Sequence, residues 1–236
     1  MRRIAIIPAR GGSKRIPRKN LVEVGGVPLL VRAVQLARKS GLFDTVHVST
    51  DDAEVRDVAL AAGADVPFLR PDDLAGDHVG LLAVLEWVLA EHEALGQRFD
   101  VGCVLLPTAP LLEVADLADG ADRHEGDDAG RPALAVARYP APPEWAFDRD
   151  DHGRLRARDE ASHAVRSQDL RPAYYDSGTF MFFSCASITE GRHGRDGFLA
   201  VELPPWKAVD IDELEDLHLV EILWRGVQDA KGRGGA

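Results

Sequence analysis

The chain has 236 residues, 45% of them hydrophobic, and a formal net charge of −11 at pH 7. That length can bury one sizeable core, so residues 1–230 are expected to form a single main domain with room for a small excursion. The acidic balance argues against nucleic-acid or membrane-surface binding, because both need extended positive surface. Cys103 and Cys185 lie far apart, with no zinc or redox spacing, and Cys103 reads as a reduced core thiol. Arg2 and Arg3 precede too few apolar residues for a signal peptide, and no window is long and apolar enough to span a bilayer. A cytoplasmic enzyme acting on a small molecule is the expectation.

Ile4 to Ile7 is a short apolar run that reads as a buried strand. Leu30, Ala33, Val34 and Ala37 then recur at helical spacing, and Gly41 closes that helix. Thr45 to Thr50 is β-branched and reads as a strand, after which Asp51 stands three residues before Glu54 as a cap for the next helix. Val66 to Leu69 is a short extended piece. A long helix is predicted from about Val79 to Leu95, with Leu81, Val84, Leu85 and Val88 inward. Val101–Leu106 and Ala133–Arg138 are further strands, and repeated strand–helix units imply a parallel sheet with helices on both sides.

The pattern breaks between Tyr139 and Pro172, which reads as an irregular loop system or a small β excursion. Strand character resumes over Gly178–Ser184. A last helix starts near Glu213, with Leu214, Leu217, Val220 and Trp224 on one stripe, and Lys231–Ala236 reads as a disordered tail. His78, His92, His124, His152 and His163 show no metal spacing, and surface or loop positions suffice for them.

Chemistry concentrates in the loop after the first strand. Gly11 and Gly12 are followed by Lys14, Arg15, Arg18 and Lys19, with Arg10 just before them. Glycine backbone can approach an anion closely, and five neighbouring cations repel one another unless an anion compensates them. A polyphosphate ligand is therefore expected, although neither a Walker A nor a dinucleotide-fold spacing is present. A second feature lies near the other end. Asp210 and Asp212, at i and i+2 on an extended segment, share a face and suit Mg²⁺. Asp212 also stands three residues before Glu215 and could be a helix cap instead.

The run Pro8 to Asn20 (PARGGSKRIPRKN) resembles the signature of the acylneuraminate cytidylyltransferase family, enzymes that make CMP-activated sialic acids and are related to the CMP-Kdo synthetases. Matching pieces follow in order at Gly26–Leu30, Ser49–Asp51, Leu69–Pro71, Leu106–Pro110 and Asp210–Asp212. The stretch Arg166–Phe180 is most similar to the pseudaminic acid cytidylyltransferase branch. The resemblance implies an α/β, Rossmann-like nucleotidyltransferase fold, with a mostly parallel sheet and helices on both faces. Residues 139–172 would be an inserted excursion for dimerisation and acceptor binding in a homodimer.

The implied reaction is Mg²⁺-dependent transfer of CMP from CTP to an acidic acceptor, most naturally a nonulosonic sugar acid, with release of pyrophosphate. By the same resemblance Arg10, Lys19, Asp210 and Asp212 would be catalytic, and the two aspartates would bind magnesium. Pro8, Ala9, Arg10, Gly11, Gly12, Ser13, Lys14 and Asn20 would hold the triphosphate and ribose, with Arg70 and Thr108 lining the cytosine and ribose pocket. Arg166, Gln168, Tyr175 and Asp176 would meet the acceptor. The chain departs from the sialic acid branch at Leu106, Ala109 and Leu112, where that branch has Gln, Ser and Arg. The alternatives are a different acid such as a small phosphonate, a sugar-1-phosphate nucleotidyltransferase, or a non-catalytic CTP-binding module.

Overall fold

The computed structural model describes residues 1–233. Its elements, in chain order, begin with β1 (Arg3–Pro8), β2 (Glu23–Val24), β3 (Val27–Pro28), α1 (Leu29–Ser40), β4 (Thr45–Ser49), α2 (Ala53–Ala61) and α3 (Leu81–Ala94). They continue with β5 (Val101–Leu105), α4 (Val114–Glu125), β6 (Ala133–Arg138), β7 (Phe147–Arg149), β8 (Leu155–Ala157) and α5 (Glu160–His163). The last are β9 (Tyr174–Ser184), α6 (Cys185–Thr189), β10 (Leu199–Leu203) and α7 (Leu214–Arg233).

A six-stranded sheet runs in the order β10-β6-β9-β5-β1-β4. Every pairing is parallel except those of β9, which runs antiparallel to both β5 and β6. Residues Ile4–Ile7 are buried on both faces because β1 is an interior strand, between β5 and β4, and helices cover both sides. Ala5 and Ile7 join the cluster under α1, α2 and α4, whereas Ile4 and Ile6 join the cluster under α3 and α6. Phe182 and Phe183 divide between these clusters in the same way, as the two-residue period of a strand requires.

From β1 the chain steps outward to β4, then returns across β1 to β5. This reversal opens a crevice at the carboxyl ends of β1 and β5, where open α/β sheets bind ligands. A third cluster closes one wall of that crevice. Ile16 of the basic loop packs with Ile211, Leu111 and Val220. Ile16 follows Arg15, and Ile211 sits between Asp210 and Asp212, so the apolar pair pins two charged segments together. Each fully buried isoleucine contributes roughly 1.5–3 kcal/mol.

Some elements were not foreseen. Helix α4 carries few apolar residues, and Gly120 is required there because a Cβ would come within 2.7 Å of the Phe180 ring. Strand β10 is a short edge strand, and β9 begins at Tyr174, upstream of the expected start. The α2 cap is Asp52, whose carboxylate accepts from the Glu54 and Val55 N–H groups, and not Asp51. Leu81 and Leu214 are exposed, against expectation. His92 and His124 are buried, as is His47, which had drawn no notice. Residues 231–233, expected in a tail, continue α7; the rest of that tail lies outside the described residues.

Residues 139–172 form an arm that carries the β7–β8 hairpin and α5. The Tyr139 N–H donates to the Ala173 carbonyl at its base, and the Trp145 indole donates to the Val165 carbonyl further out.

Candidate active site

A cleft of about 310 Å³ opens at the carboxyl ends of β1 and β5. Pro8, Arg10, Lys19, Asn20, Arg70, Thr108, Asp210 and Asp212 line it together, so residues from both ends of the chain converge there. Lys19 makes the join. Its Nζ donates to the Ile211 carbonyl at 2.8 Å and to Asp212 Oδ1 at 3.1 Å. Arg15 reaches the same Asp212 oxygen at 2.9 Å.

Asp212 does not cap α7. The Asp216 carboxylate, in the first turn, folds back to accept from the Asp212 and Glu213 N–H groups at 2.9 and 2.8 Å and so ties down the entry to the helix. Burial works to raise the Asp212 carboxyl, but the Lys19 and Arg15 contacts outweigh it and hold the group below the ordinary range. Asp210 behaves oppositely. Burial raises its carboxyl, the Thr108 hydrogen bond opposes the shift, and the Asp212 charge adds to it. Asp210 Oδ1 is buried with no hydrogen-bond partner among the described residues.

An orphaned carboxylate oxygen and a second carboxylate on one cleft wall fit a hard divalent cation that also takes phosphate oxygens and water. Among the described residues, no group of three or more His, Cys, Asp or Glu side chains is arranged to hold a metal ion. A cation here would thus depend on substrate oxygens. Gly178, at φ 62°, brings β9 against this carboxylate, since a Cβ would lie 3.0 Å from Asp210 Oδ2.

The basic loop is better compensated than its sequence suggests. Arg10 donates to Asp77 Oδ1 at 2.6 Å, and Lys14 pairs with Asp77 Oδ2. Arg18 pairs with Glu54 at 2.8 Å and Asp52 at 3.3 Å. The carboxylates of Asp52, Glu54, Asp77 and Asp212 therefore neutralise the crowding that pointed to a ligand. Asp77 was not foreseen; its only signal was an acidic residue in a loop between Gly76 and Gly80. Arg70 differs from the five loop cations. It is buried, its pKa is lowered by that burial, and among the described residues its guanidinium donates to the Ser49 side chain and carbonyl alone.

Of the remaining nucleotide-loop residues, Ala9, Gly11, Gly12 and Ser13 do not line the cleft, whereas Asn20 does. Ala9 is buried in the core. The Gly11 N–H donates to Asp51, and a Cβ there would come within 2.6 Å of Asp52, so glycine is needed for packing and its N–H is already engaged. Gly12 has open space around it, and the Ser13 N–H turns back to the Gly11 carbonyl. Asn20 is buried and donates to the Arg10 carbonyl at 3.0 Å, which fixes the backbone of that arginine.

The four acceptor candidates also lie outside this cleft. Arg166 pairs with Asp169 at 2.9 Å. Gln168 lines a separate cavity of about 470 Å³ at the base of the arm, with Arg138 and Arg171. The Tyr175 ring packs on Tyr139, and Asp176 accepts from the Gly178 N–H.

Residues 4–129 match the family model described as cytidylyltransferase. The chain belongs to the cytidylyltransferase family. A pseudaminic acid cytidylyltransferase of Campylobacter jejuni serotype O:2 is 36% identical over 226 residues, covering 95% of this chain and 97% of that protein. A CMP-N,N'-diacetyllegionaminic acid synthase of Legionella pneumophila is 28% identical, covering 98% and 99% of the two chains. In fold, the family member resembles a solved CMP:2-keto-3-deoxy-manno-octonic acid synthetase complexed with CTP. The TM-score is 0.71 at 17% identity, over 96% of this chain and 99% of that one. The mostly parallel sheet and helices on both faces are thus those of a Rossmann-like nucleotidyltransferase. Among the described residues, no helix is long and apolar enough to cross a membrane.

Proposed function

We propose that this chain transfers CMP from CTP to a nonulosonic sugar acid and releases pyrophosphate, with Mg²⁺ as cofactor. The observation that carries the reading is the convergence of Arg10, Lys19, Arg70, Asp210 and Asp212 on one cleft, joined by the contact from Lys19 to Asp212. The acceptor class follows from the relatives that span nearly the whole chain, whose names specify pseudaminic and legionaminic acids.

In this reading an acceptor hydroxyl oxygen attacks the α-phosphorus, and the new P–O bond forms as the bond to pyrophosphate breaks. Catalysis of this kind is mainly positioning and charge neutralisation. Arg10, Lys14 and Lys19 oppose the charge that builds on the leaving group. Asn20 keeps Arg10 in place through its carbonyl. Arg70, buried and with no ion-paired carboxylate among the described residues, takes an anionic or carbonyl group of the nucleotide, beside Thr108. Asp210 and Asp212 would hold Mg²⁺, which when bound supplies hard positive charge to the phosphate oxygens. The reading puts the acceptor along the carboxyl edge of the sheet, between the cleft and the cavity at the arm base, where Gln168 and Arg171 lie.

The same proposal extends to the arm as a contact between two copies of the chain. Phe147 and Leu155 stand on its hairpin at 43% and 61% exposure, which a second copy would cover. Sedimentation of Leu155→Asp should show monomer where the parent chain is a dimer.

Pyrophosphate release from CTP and Mg²⁺ over a panel of nonulosonic acids, other sugar acids and phosphonates tests the reaction. Release is expected with a nonulosonic acid and with CTP in preference to other nucleoside triphosphates. Silence across the panel from folded protein would remove the proposal.

A further inference from the structure

Asp77 belongs to the segment from Pro71 to Gly80 between α2 and α3, of which Leu74, Gly76, Asp77 and Val79 line the cleft. Both its carboxylate oxygens are committed to the basic loop, Oδ1 to Arg10 at 2.6 Å and Oδ2 to Lys14. Arg10 Nη1 also reaches the Ala75 carbonyl at 3.5 Å. These contacts draw the Asp77 carboxyl down to about 2, with the Lys14 hydrogen bond the larger influence and that from Arg10 next. The segment is otherwise held by local turn bonds at Leu74, Ala75 and Val79 and by Val79 packing on the apolar cluster under α3. Gly76 has only Val79 near its missing Cβ, at 3.8 Å, and Gly80 has open space. The charge pattern around the cleft sharpens the point. Arg18 pairs with acids of α2 outside the cleft, and Lys19 pairs with Asp212, a cleft carboxylate fixed by the buried Ile211. Among the described residues, Asp77 presents its carboxylate to Arg10 and Lys14 from a segment held mainly by local turn bonds and by Val79.

We propose that Asp77 is a stand-in for phosphate, an internal competitor that selectively lowers the affinity of the site for polyphosphates. It holds Arg10 and Lys14 in position before nucleotide arrives, and it must release both when the β- and γ-phosphates enter. A triphosphate or pyrophosphate brings several charged oxygens to two cations and displaces one carboxylate. A monophosphate held by its α-phosphate alone does not reach this pair and gains nothing from the exchange. A ligand that binds only the released state has its affinity reduced by the fraction released. A clip closed about ten times in eleven therefore weakens polyphosphate binding about tenfold and leaves monophosphate binding alone. The inference rests on the reading of this cleft as the CTP site.

The test is calorimetric titration of CTP, pyrophosphate and CMP into the full chain and its Asp77→Asn and Asp77→Ala variants. Both variants should bind CTP and pyrophosphate about tenfold more tightly, with CMP changed less than twofold. CTP or pyrophosphate affinity that is unchanged or weaker in folded variants overturns the proposal, and equal tightening of CMP overturns the selectivity. Hydrogen exchange on the unaltered chain reads the same event without a substitution. Amides of residues 75–80 should exchange faster once pyrophosphate is bound, and slower or unchanged exchange counts against release. If no protein binds CTP or pyrophosphate, the site reading itself fails. That outcome is distinct from tight binding that Asp77 does not influence.

Discussion

In the cleft, cations meet carboxylates from remote parts of the chain: Lys19 and Asp212 are 193 residues apart, Arg10 and Asp77 are 67. In the arm the partners are neighbours, Arg154 with Asp150, Arg166 with Asp169, and Arg158 with Asp148 across one hairpin. The arm pairs are exposed and form with little help from the fold, and such pairs contribute roughly 0–1 kcal/mol. The cleft pairs exist only because the sheet reverses direction at β1 and because Ile16 and Ile211 pack together. The difference shows where charge has been assembled rather than merely tolerated. It also explains why Arg166 is poorly placed to grip an acceptor within one chain.

The comparison can be broken most severely at the cleft. Lys19→Ala and Asp210→Asn should each lower the rate of pyrophosphate release by about 100-fold or more with the fold preserved, the scale of losing a group aimed at developing charge. Retention of full activity by both would place the cleft pairs with those of the arm.

A second test concerns buried groups without partners. His47 lies in the core with neither ring nitrogen hydrogen-bonded, against Phe68 and His92. Burial lowers its pKa to about 3, with the His92 and Arg70 charges adding to the effect. Unfolded histidine takes its proton near pH 6.5. Stability should therefore fall as pH drops from about 6.5 toward 3, by up to ~1.4 kcal/mol per pH unit from this group. Denaturant melts of His47→Leu should show a shallower acid slope than the parent chain. An identical slope would mean that the histidine is not the source. Asp210 is the cleft's counterpart, but its unpartnered oxygen lines a cleft where a ligand can satisfy it.

Smaller effects sharpen the boundary further. Gly178→Ala adds a Cβ at positive φ against Asp210, and the backbone strain should cost about 1–3 kcal/mol in thermal unfolding together with lost activity. Asp216→Ala removes the two bonds that tie down the entry to α7 and should cost about 1 kcal/mol while turnover is kept. Asp212→Asn should do the reverse. Arg158→Ala in the arm should stay within about 0.5 kcal/mol.

Much of the frame was legible because burial leaves a periodic trace. The all-apolar β1, the i, i+3, i+4 pattern of α1 and the positive-φ Gly41 at its end are read directly from residue order. Helix α4 hid because its inward face is Leu117, Gly120, Ala121 and His124, too small and polar to register as a stripe. The antiparallel sense of β9 depends on pairing, which a single strand does not encode. The site was legible as two separate motifs, and their convergence was an expectation until the topology joined them. Asp77 was not legible at all, since nothing local distinguishes a loop aspartate that folds back on Arg10 from one left in solvent. The loop's compensation by its own carboxylates was missed for the same reason.

On the proposed function, the basic loop and the late aspartates act on one polyphosphate. A double-mutant cycle on Lys19→Ala and Asp212→Asn, read as kcat/KM for CTP in pyrophosphate release, tests it most directly. Shared action predicts that the double variant is at most a few-fold worse than the poorer single variant, a coupling within the ~0.5–3 kcal/mol seen for residues in contact. Losses that multiply fully would show two independent sites and contradict the account.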